Sequence, residues 1–115
     1  MDKIRIGICG YGNLGRGIES EISKSSDMEL VAIFTRRDPS TLKIASNTPV
    51  DHIDNVQNWK DKIDVMIMCG GSSTDLPVQV PSMAKLFNTV DSFDTHAKIP
   101  EYFENVDKSA KEGNN

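Results

Sequence analysis

The sequence has few cysteines, no long apolar run and no excess of positive charge, and each absence excludes a class of protein. Its two cysteines, Cys9 and Cys69, have no cysteine or histidine at metal-ligand spacing, and His52 and His96 have no ligand partners, so we expect reduced thiols and no metal. No stretch approaches the roughly 20 apolar residues of a membrane span, and the run Ile4–Cys9 is too short for a signal peptide. We therefore expect a cytoplasmic protein with no membrane contact.

The net charge and the length restrict the class of protein and the number of domains further. A formal net charge of −4 gives no general field that attracts nucleic acid, so any anion site must be assembled from local glycines and arginines. At 115 residues and 37% hydrophobic content, the chain suits one compact domain over 1–115 and leaves no room for a second. No internal repeat, linker or low-complexity segment is found.

Apolar runs that predict strands alternate with amphipathic patterns that predict helices. Residues 4–9 and 28–34 are short apolar runs, and the segment between them carries an apolar stripe through Leu14, Ile18 and Ile22. Together they make one βαβ unit.

The remainder of the chain continues this alternation. We expect a short helical turn and a brief third strand near 52–53, a short helix over 59–63, a strand over 64–69, a helix from 77 through 87, a strand beginning at 89–90, and a final helix over 100–111 capped by Gly113. This order predicts an α/β fold with a doubly wound parallel sheet. Because the next element of such a sheet is another strand, we expect the chain to be truncated relative to a longer protein.

The first strand leads into Gly10-Tyr11-Gly12-Asn13-Leu14-Gly15, which matches G-x-G-x-x-G. The pattern by itself is weak evidence. Here, however, it directly follows a predicted strand and begins a predicted helix, an arrangement that points backbone N–H groups at a pyrophosphate. Gly10 permits the tight turn, Gly12 removes a Cβ that would block the phosphates, and Gly15 lets the helix approach the strand. The motif predicts a dinucleotide site on a Rossmann-type sheet; an ordinary strand-to-helix turn is the alternative.

The second strand ends in Thr35-Arg36-Arg37, where an NAD-preferring site usually places an acidic residue on the ribose 2′-hydroxyl. A guanidinium offers a planar fork of donors suited to a phosphate, and the threonine adds a hydroxyl, so the segment predicts NADP. The alternative interpretation is a pair of solvated loop charges. Asp38 next to them either weakens the local field or orients one arginine.

Two further segments follow strands at the same edge of the predicted sheet. We expect Cys69-Gly70-Gly71-Ser72-Ser73 to line the crevice and admit the nicotinamide half, with a flexible turn as the alternative. Asp91, Asp94 and His96 are candidates to face substrate, although loop carboxylates are commonly solvated or cap turns. A hydrolase built from Ser72, His96 and Asp94 is disfavoured because no G-x-S-x-G elbow surrounds the serine.

Four separated motifs therefore occur in one order: residues 10–16, 34–37, 69–77 and 89–96. In this combination the chain resembles meso-diaminopimelate dehydrogenases over nearly its whole length. The resemblance implies an NADP-dependent, reversible oxidative deamination at the D-centre of meso-2,6-diaminopimelate. The products are L-2-amino-6-oxopimelate and ammonia, in lysine and cell-wall precursor biosynthesis. It also implies a homodimer at full length.

The resemblance further implies roles for individual residues. Asp94 would meet the substrate, where a carboxylate positions the amine and stabilises the developing iminium. Family members continue into a substrate domain that this chain lacks, so we expect no useful turnover from the 115 residues alone. The implied cofactor contacts are Tyr11 to Leu14 for the pyrophosphate, Thr35 to Arg37 for the 2′-phosphate, and Cys69 to Ser72 with Ser92, Phe93 and Asp94 for the ribose and nicotinamide side.

Two alternatives to this function remain open. One is another NADP-linked enzyme of amino-acid metabolism, such as a dihydrodipicolinate or aspartate-semialdehyde type reductase, which shares the fold and the glycine turn. The other is a non-catalytic NADP-binding module, which would bind cofactor without oxidising any amino acid.

Overall fold

The computed structural model describes residues 2–71 and 74–115, and its strands form one parallel sheet in the order β3-β2-β1-β4-β5. The strands are β1 (Ile4–Cys9), β2 (Met28–Thr35), β3 (Val50–His52), β4 (Val65–Met68) and β5 (Asn88–Asp91). The α-helices are α1 (Asn13–Ser23), α2 (Leu76–Ala84) and α3 (Ile99–Glu112), and 3-10 helices span Pro39–Thr41, Ile53–Trp59 and His96–Lys98. Within these described ranges, no helix is both long and apolar enough to cross a membrane.

The sheet topology confirms the predicted doubly wound fold. All four strand pairings are parallel, and β1 lies between β2 on one side and β4 on the other. The connection from β1 to β2 moves toward one edge of the sheet, and the connection from β4 to β5 moves toward the other edge. Since such connections are right-handed, α1 and α2 lie on opposite faces of the sheet. The strand order reverses between β1 and β4, so a crevice is expected outside their carboxyl ends.

The core lies where β2 and β4 meet α2. Phe34, Met66, Met68, Leu76 and Val80 are completely buried and belong to one apolar cluster. Burial of each such side chain contributes about 1.5 to 3 kcal/mol relative to exposure, so this cluster holds the central strands against the helix. The carboxyl edge of the sheet is thereby a rigid support for the loops that follow each strand.

The helix predicted over residues 59–63 was wrong. A 3-10 helix instead spans Ile53–Trp59, and residues 60–62 form a turn. The His52 ring begins this helix early, because it accepts the Asp54 N–H at 3.0 Å and so satisfies an N–H group that a helix start leaves unpaired. At the other end of the helix, the Trp59 indole N–H donates to the Asp51 carboxylate at 3.0 Å.

The other predicted elements are present with shifted ends. The third strand lies slightly earlier than predicted, at β3, and the final helix agrees with α3. Helix α2 stops at Ala84 instead of continuing to Phe87, and residues 85–86 form a turn in which the Leu86 N–H donates to the Met83 carbonyl, three residues back. That turn directs the Phe87 side chain into the core, where it is 2% exposed.

One ion pair fixes the beginning of β1 against the turn before β4. The Arg5 guanidinium and backbone N–H all donate to the Asp64 carboxylate, at 2.8 to 3.2 Å. These hydrogen bonds from Arg5 lower the pKa of Asp64 to about 2. The pair therefore connects two strands that are 59 residues apart in sequence.

Asp64→Asn is expected to lower the urea midpoint slightly at pH 7, since the pair is partly exposed. An unfolded aspartate titrates near pKa 3.9, so the contribution is complete above about pH 5 and disappears as the pH falls toward 2. The urea midpoints of wild type and Asp64→Asn, measured across this pH range, should converge at its acid end. A difference between the midpoints that stays constant down to pH 2 would show that the carboxylate charge does not cause the stabilisation.

Candidate functional site

A cleft of about 310 Å³ opens at the carboxyl ends of β1, β2 and β4, where the strand order reverses. Ligands of open α/β sheets bind at this kind of position. Three predicted segments meet there: the glycine turn, the end of β2 and the loop after β4. The lining consists of residues 9–12 and 34–37, Leu42, Ile53, residues 69–71, Asp75 and Gln79.

The glycines of the turn after β1 have separate roles. Gly10 has φ +98°, a conformation that favours glycine, and a Cβ on Gly15 would lie 2.5 Å from the Gly10 carbonyl oxygen. A Cβ on Gly12 would meet nothing within 4 Å, so this side of the turn is open space. The chain therefore needs Gly10 and Gly15 to form the turn, whereas Gly12 leaves room above it.

The amino end of α1 carries features of an anion site. Gly12 is its N-cap residue and supplies no side-chain cap, and no acidic residue lies in the first turn. The first backbone N–H groups of a helix lack intrahelical partners and carry partial positive charge. Asn13 and Leu14 have exposed side chains outside the cleft lining, so their predicted pyrophosphate contacts would come from the backbone.

The end of β2 presents both arginines beside this turn. Thr35 is buried, and its hydroxyl accepts the Arg37 N–H at 3.1 Å, which fixes the turn that carries the arginines. Arg36 and Arg37 are exposed and line the cleft. Asp38 binds Ser40 instead, at 2.8 Å between side chains.

Sequence reasoning missed the carboxylate that does pair with an arginine. Asp75 lies 3.1 Å from the Arg36 guanidinium across the cleft, although the two residues are 39 positions apart. The only signal in the sequence is an acidic residue just before Pro77 at the start of a predicted helix, which by itself indicates nothing about a partner.

The loop after β4 forms the opposite wall. Gly70 is required there by packing, because a Cβ on it would lie 2.9 Å from both the Asp75 Cβ and the Gln79 side-chain oxygen. Burial raises the pKa of the Cys9 thiol to about 12 and that of Cys69 to about 11. Both thiols are therefore neutral at physiological pH and unsuited to nucleophilic chemistry. Predicted Ser72 and Ser73 lie outside the described residues.

The segment after β5 lies apart from this cleft. Ser92 and Asp94 are exposed, and Phe93 stacks on Tyr102 of α3 with ring centroids 4.0 Å apart. The Asp91 carboxylate accepts the Phe93 N–H at 2.9 Å and so caps a turn. Burial and the Asp91 carboxylate raise the pKa of Tyr102. Among the described residues, none of this segment lines the cleft, so its nicotinamide-side role stays a prediction.

A buried carboxylate on α1, also missed from the sequence, holds the glycine turn in place. Glu19 is 3% exposed and accepts hydrogen bonds from the Tyr11 hydroxyl at 2.5 Å and from the Ser46 hydroxyl and N–H at 2.6 and 3.2 Å. Burial acts to raise the pKa of Glu19, but the hydrogen bonds outweigh it and lower the pKa. Glu19 thus connects the turn to the segment around Ser46.

Glu19→Gln is expected to destabilise the fold by about 1 to 3 kcal/mol, because the neutral amide replaces one acceptor oxygen by a donor facing buried donors. Urea denaturation at pH 7 measures the change. The matched control is Glu21→Gln on the same helix, whose side chain is 76% exposed and which should stay within about 0.5 kcal/mol of wild type. Equal small effects from both changes would contradict a structural role for Glu19.

A doubly wound parallel sheet with an uncapped helix and glycine turn at its switch point defines a dinucleotide-binding domain. The sequence comparisons agree with that class. The chain belongs to the oxidoreductase family with the NAD-binding Rossmann fold, whose model matches residues 4–98.

The predicted resemblance to meso-diaminopimelate dehydrogenases is also confirmed. The chain is 62% identical over 112 residues to the meso-diaminopimelate D-dehydrogenase of Ureibacillus thermosphaericus, covering 97% of this chain and 34% of that protein. Diaminopimelate (DAP) dehydrogenase of Corynebacterium glutamicum, solved in complex with DAP, superposes with a TM-score of 0.91 at 41% identity, covering 100% of this chain and 35% of that one.

A further solved structure is an engineered D-amino acid dehydrogenase bound to NADP+, with a TM-score of 0.90 at 41% identity, covering 98% of this chain and 34% of that one. The chain thus spans about a third of the length of the relatives it matches.

Proposed function

We propose that this chain is the cofactor-binding part of an NADP-dependent meso-diaminopimelate dehydrogenase. The observation that carries the proposal is the pair Arg36 and Arg37 at the end of β2, lining the cleft beside the glycine turn. High identity to proteins named meso-diaminopimelate D-dehydrogenase, together with a similar structure bound to NADP+, supports the assignment. The reaction is the reversible oxidative deamination of the D-centre of meso-2,6-diaminopimelate.

The residues of the cleft fit the parts of NADP in order. The uncapped start of α1 and the open side of Gly12 suit a pyrophosphate, because the backbone can approach it closely. The guanidinium groups of Arg36 and Arg37 suit the 2′-phosphate. The wall formed by residues 69–71 is left for the ribose and nicotinamide side. When bound, NADP supplies the hydride acceptor.

Asp94 is the proposed substrate contact in the complete enzyme. It follows β5 on the carboxyl side of the sheet, the same side as the cleft. A carboxylate there orients the substrate amine and stabilises positive charge that develops as the amine becomes an iminium. We further propose that the full-length protein is a cytoplasmic homodimer that acts in lysine biosynthesis, as the resemblance implies.

Amino-acid oxidation by the full-length protein tests this function. NADPH formation and ammonia release are measured with meso-diaminopimelate and with the LL isomer. The reverse reaction is measured as NADPH consumption. We expect turnover with the meso isomer and none with the LL isomer, which has no D-centre. Tight NADP binding without oxidation of either isomer would instead support a non-catalytic module. Reduction of dihydrodipicolinate or an aspartyl compound in their place would support the rival reductases.

A further inference from the structure

An ion pair spans the candidate cofactor cleft from the end of β2 to the start of α2. Arg36 Nη1 lies 3.1 Å from Asp75 Oδ1, and Nη2 lies 3.4 Å from Oδ2, so the contact between the guanidinium and the carboxylate is bidentate. Both residues line the cleft. Unlike an ordinary surface pair, this one lies where the adenosine end of the proposed cofactor would enter.

The two partners differ in how firmly they are held. The Asp75 carboxyl is 23% exposed and also accepts the Gly71 N–H at 2.9 Å, while the Asp75 N–H donates to the Gly71 carbonyl at 2.9 Å. The Arg36 side chain is 65% exposed. The loop therefore fixes the carboxylate, and the long arginine side chain is the partner that can turn to another anion.

Building on the proposed function, we propose that Asp75 limits cofactor specificity by competing with the 2′-phosphate for Arg36. Asp75 occupies the two N–H donors of the Arg36 guanidinium that a phosphate would use. The 2′-phosphate of NADP must therefore displace the carboxylate or share the guanidinium with it. NAD has no 2′-phosphate and leaves the pair intact. Asp75 accordingly lowers the affinity for NADP selectively, and so limits the preference for NADP over NAD.

Asp75→Asn tests the competition while retaining an oxygen that accepts the Gly71 N–H. Titration calorimetry with NADPH and NADH is carried out on wild type, Asp75→Asn, Arg36→Ala and the double variant. We expect Asp75→Asn to lower the NADPH dissociation constant about two- to fivefold, the range for an exposed ion pair, with NADH unchanged. In the Arg36→Ala background the gain should vanish, because no guanidinium remains to compete for.

Asp107→Asn is the matched control. It makes the same charge change and removes an ion pair to Lys111, 2.9 Å away on α3. Neither residue lines the cleft, so neither dissociation constant should change.

Any one of five results overturns the inference. Weaker NADPH binding in Asp75→Asn would mean that the carboxylate orients Arg36 for the phosphate. An equal gain for NADPH and NADH, or a gain that persists in the Arg36→Ala background, would mean a general charge effect. Wild type without any preference for NADPH would overturn the proposed cofactor as well. A wild-type preference that Arg36→Ala abolishes, with no gain from Asp75→Asn, would overturn this inference alone.

Discussion

Replacing Arg36 and Arg37 together with alanine is expected to raise the NADPH dissociation constant about a hundredfold and the NADH constant no more than about threefold. A hydrogen bond to a charged group contributes about 1.5 to 3 kcal/mol, and the exposure of both side chains places the pair at the low end of that range. NADH has no 2′-phosphate, so it loses little. Titration calorimetry of the variant with both cofactors measures the two changes.

The double variant removes two positive charges, so it needs a control with the same charge change elsewhere. The control is Lys108→Ala with Lys111→Ala, which removes the same charge from α3, outside the cleft lining. Equal weakening of NADPH and NADH in the arginine variant would mean that the arginines are solvated loop charges.

Asp94→Ala in the full-length dehydrogenase is expected to lower kcat by about a hundredfold or more, the range for loss of a positioned acid–base group. NADPH affinity should stay within about twofold of wild type, because Asp94 lies outside the cleft lining. The reason is that the carboxylate would act on the substrate amine rather than on the phosphates. Steady-state kinetics with meso-diaminopimelate and calorimetry with NADPH separate these two effects.

Asp94→Asn is the companion variant, since it keeps the size and most hydrogen bonding of the side chain but removes the charge. Loss of turnover in both variants would identify the charge as the essential property. An unimpaired kcat in Asp94→Ala would remove Asp94 from the substrate site and leave the assignment to other residues.

The fold was predictable because its signals are local. A β-branched run, the turn from Gly10 to Gly15 and the helix after it are consecutive in sequence, and each depends on backbone geometry that these residues dictate. The position of Arg36 at the end of β2 followed from the same alternation of strands and helices. Local chemistry also produced the error over residues 59–63, since the hydrogen bond that the His52 ring accepts from the Asp54 N–H starts the helix before the apolar pattern suggests.

The two carboxylates that organise the site were not predictable from the sequence. Glu19 reads as an ordinary polar position of an amphipathic helix, yet its partner Ser46 is 27 residues away. Asp75 meets Arg36 only after the sheet has brought the ends of β2 and β4 to one edge. Both contacts depend on tertiary packing, and a sequence pattern carries no direct record of that packing.

We propose that the cleft selects NADP through the arginines at the end of β2. The decisive measurement is equilibrium titration of the wild-type protein with NADPH and NADH under identical salt. We expect a single site with at least about thirtyfold tighter binding of NADPH, because the two arginines contribute a hundredfold to one cofactor and threefold to the other. Equal affinities for the two cofactors, or tighter binding of NADH, would show that the arginines do not select NADP.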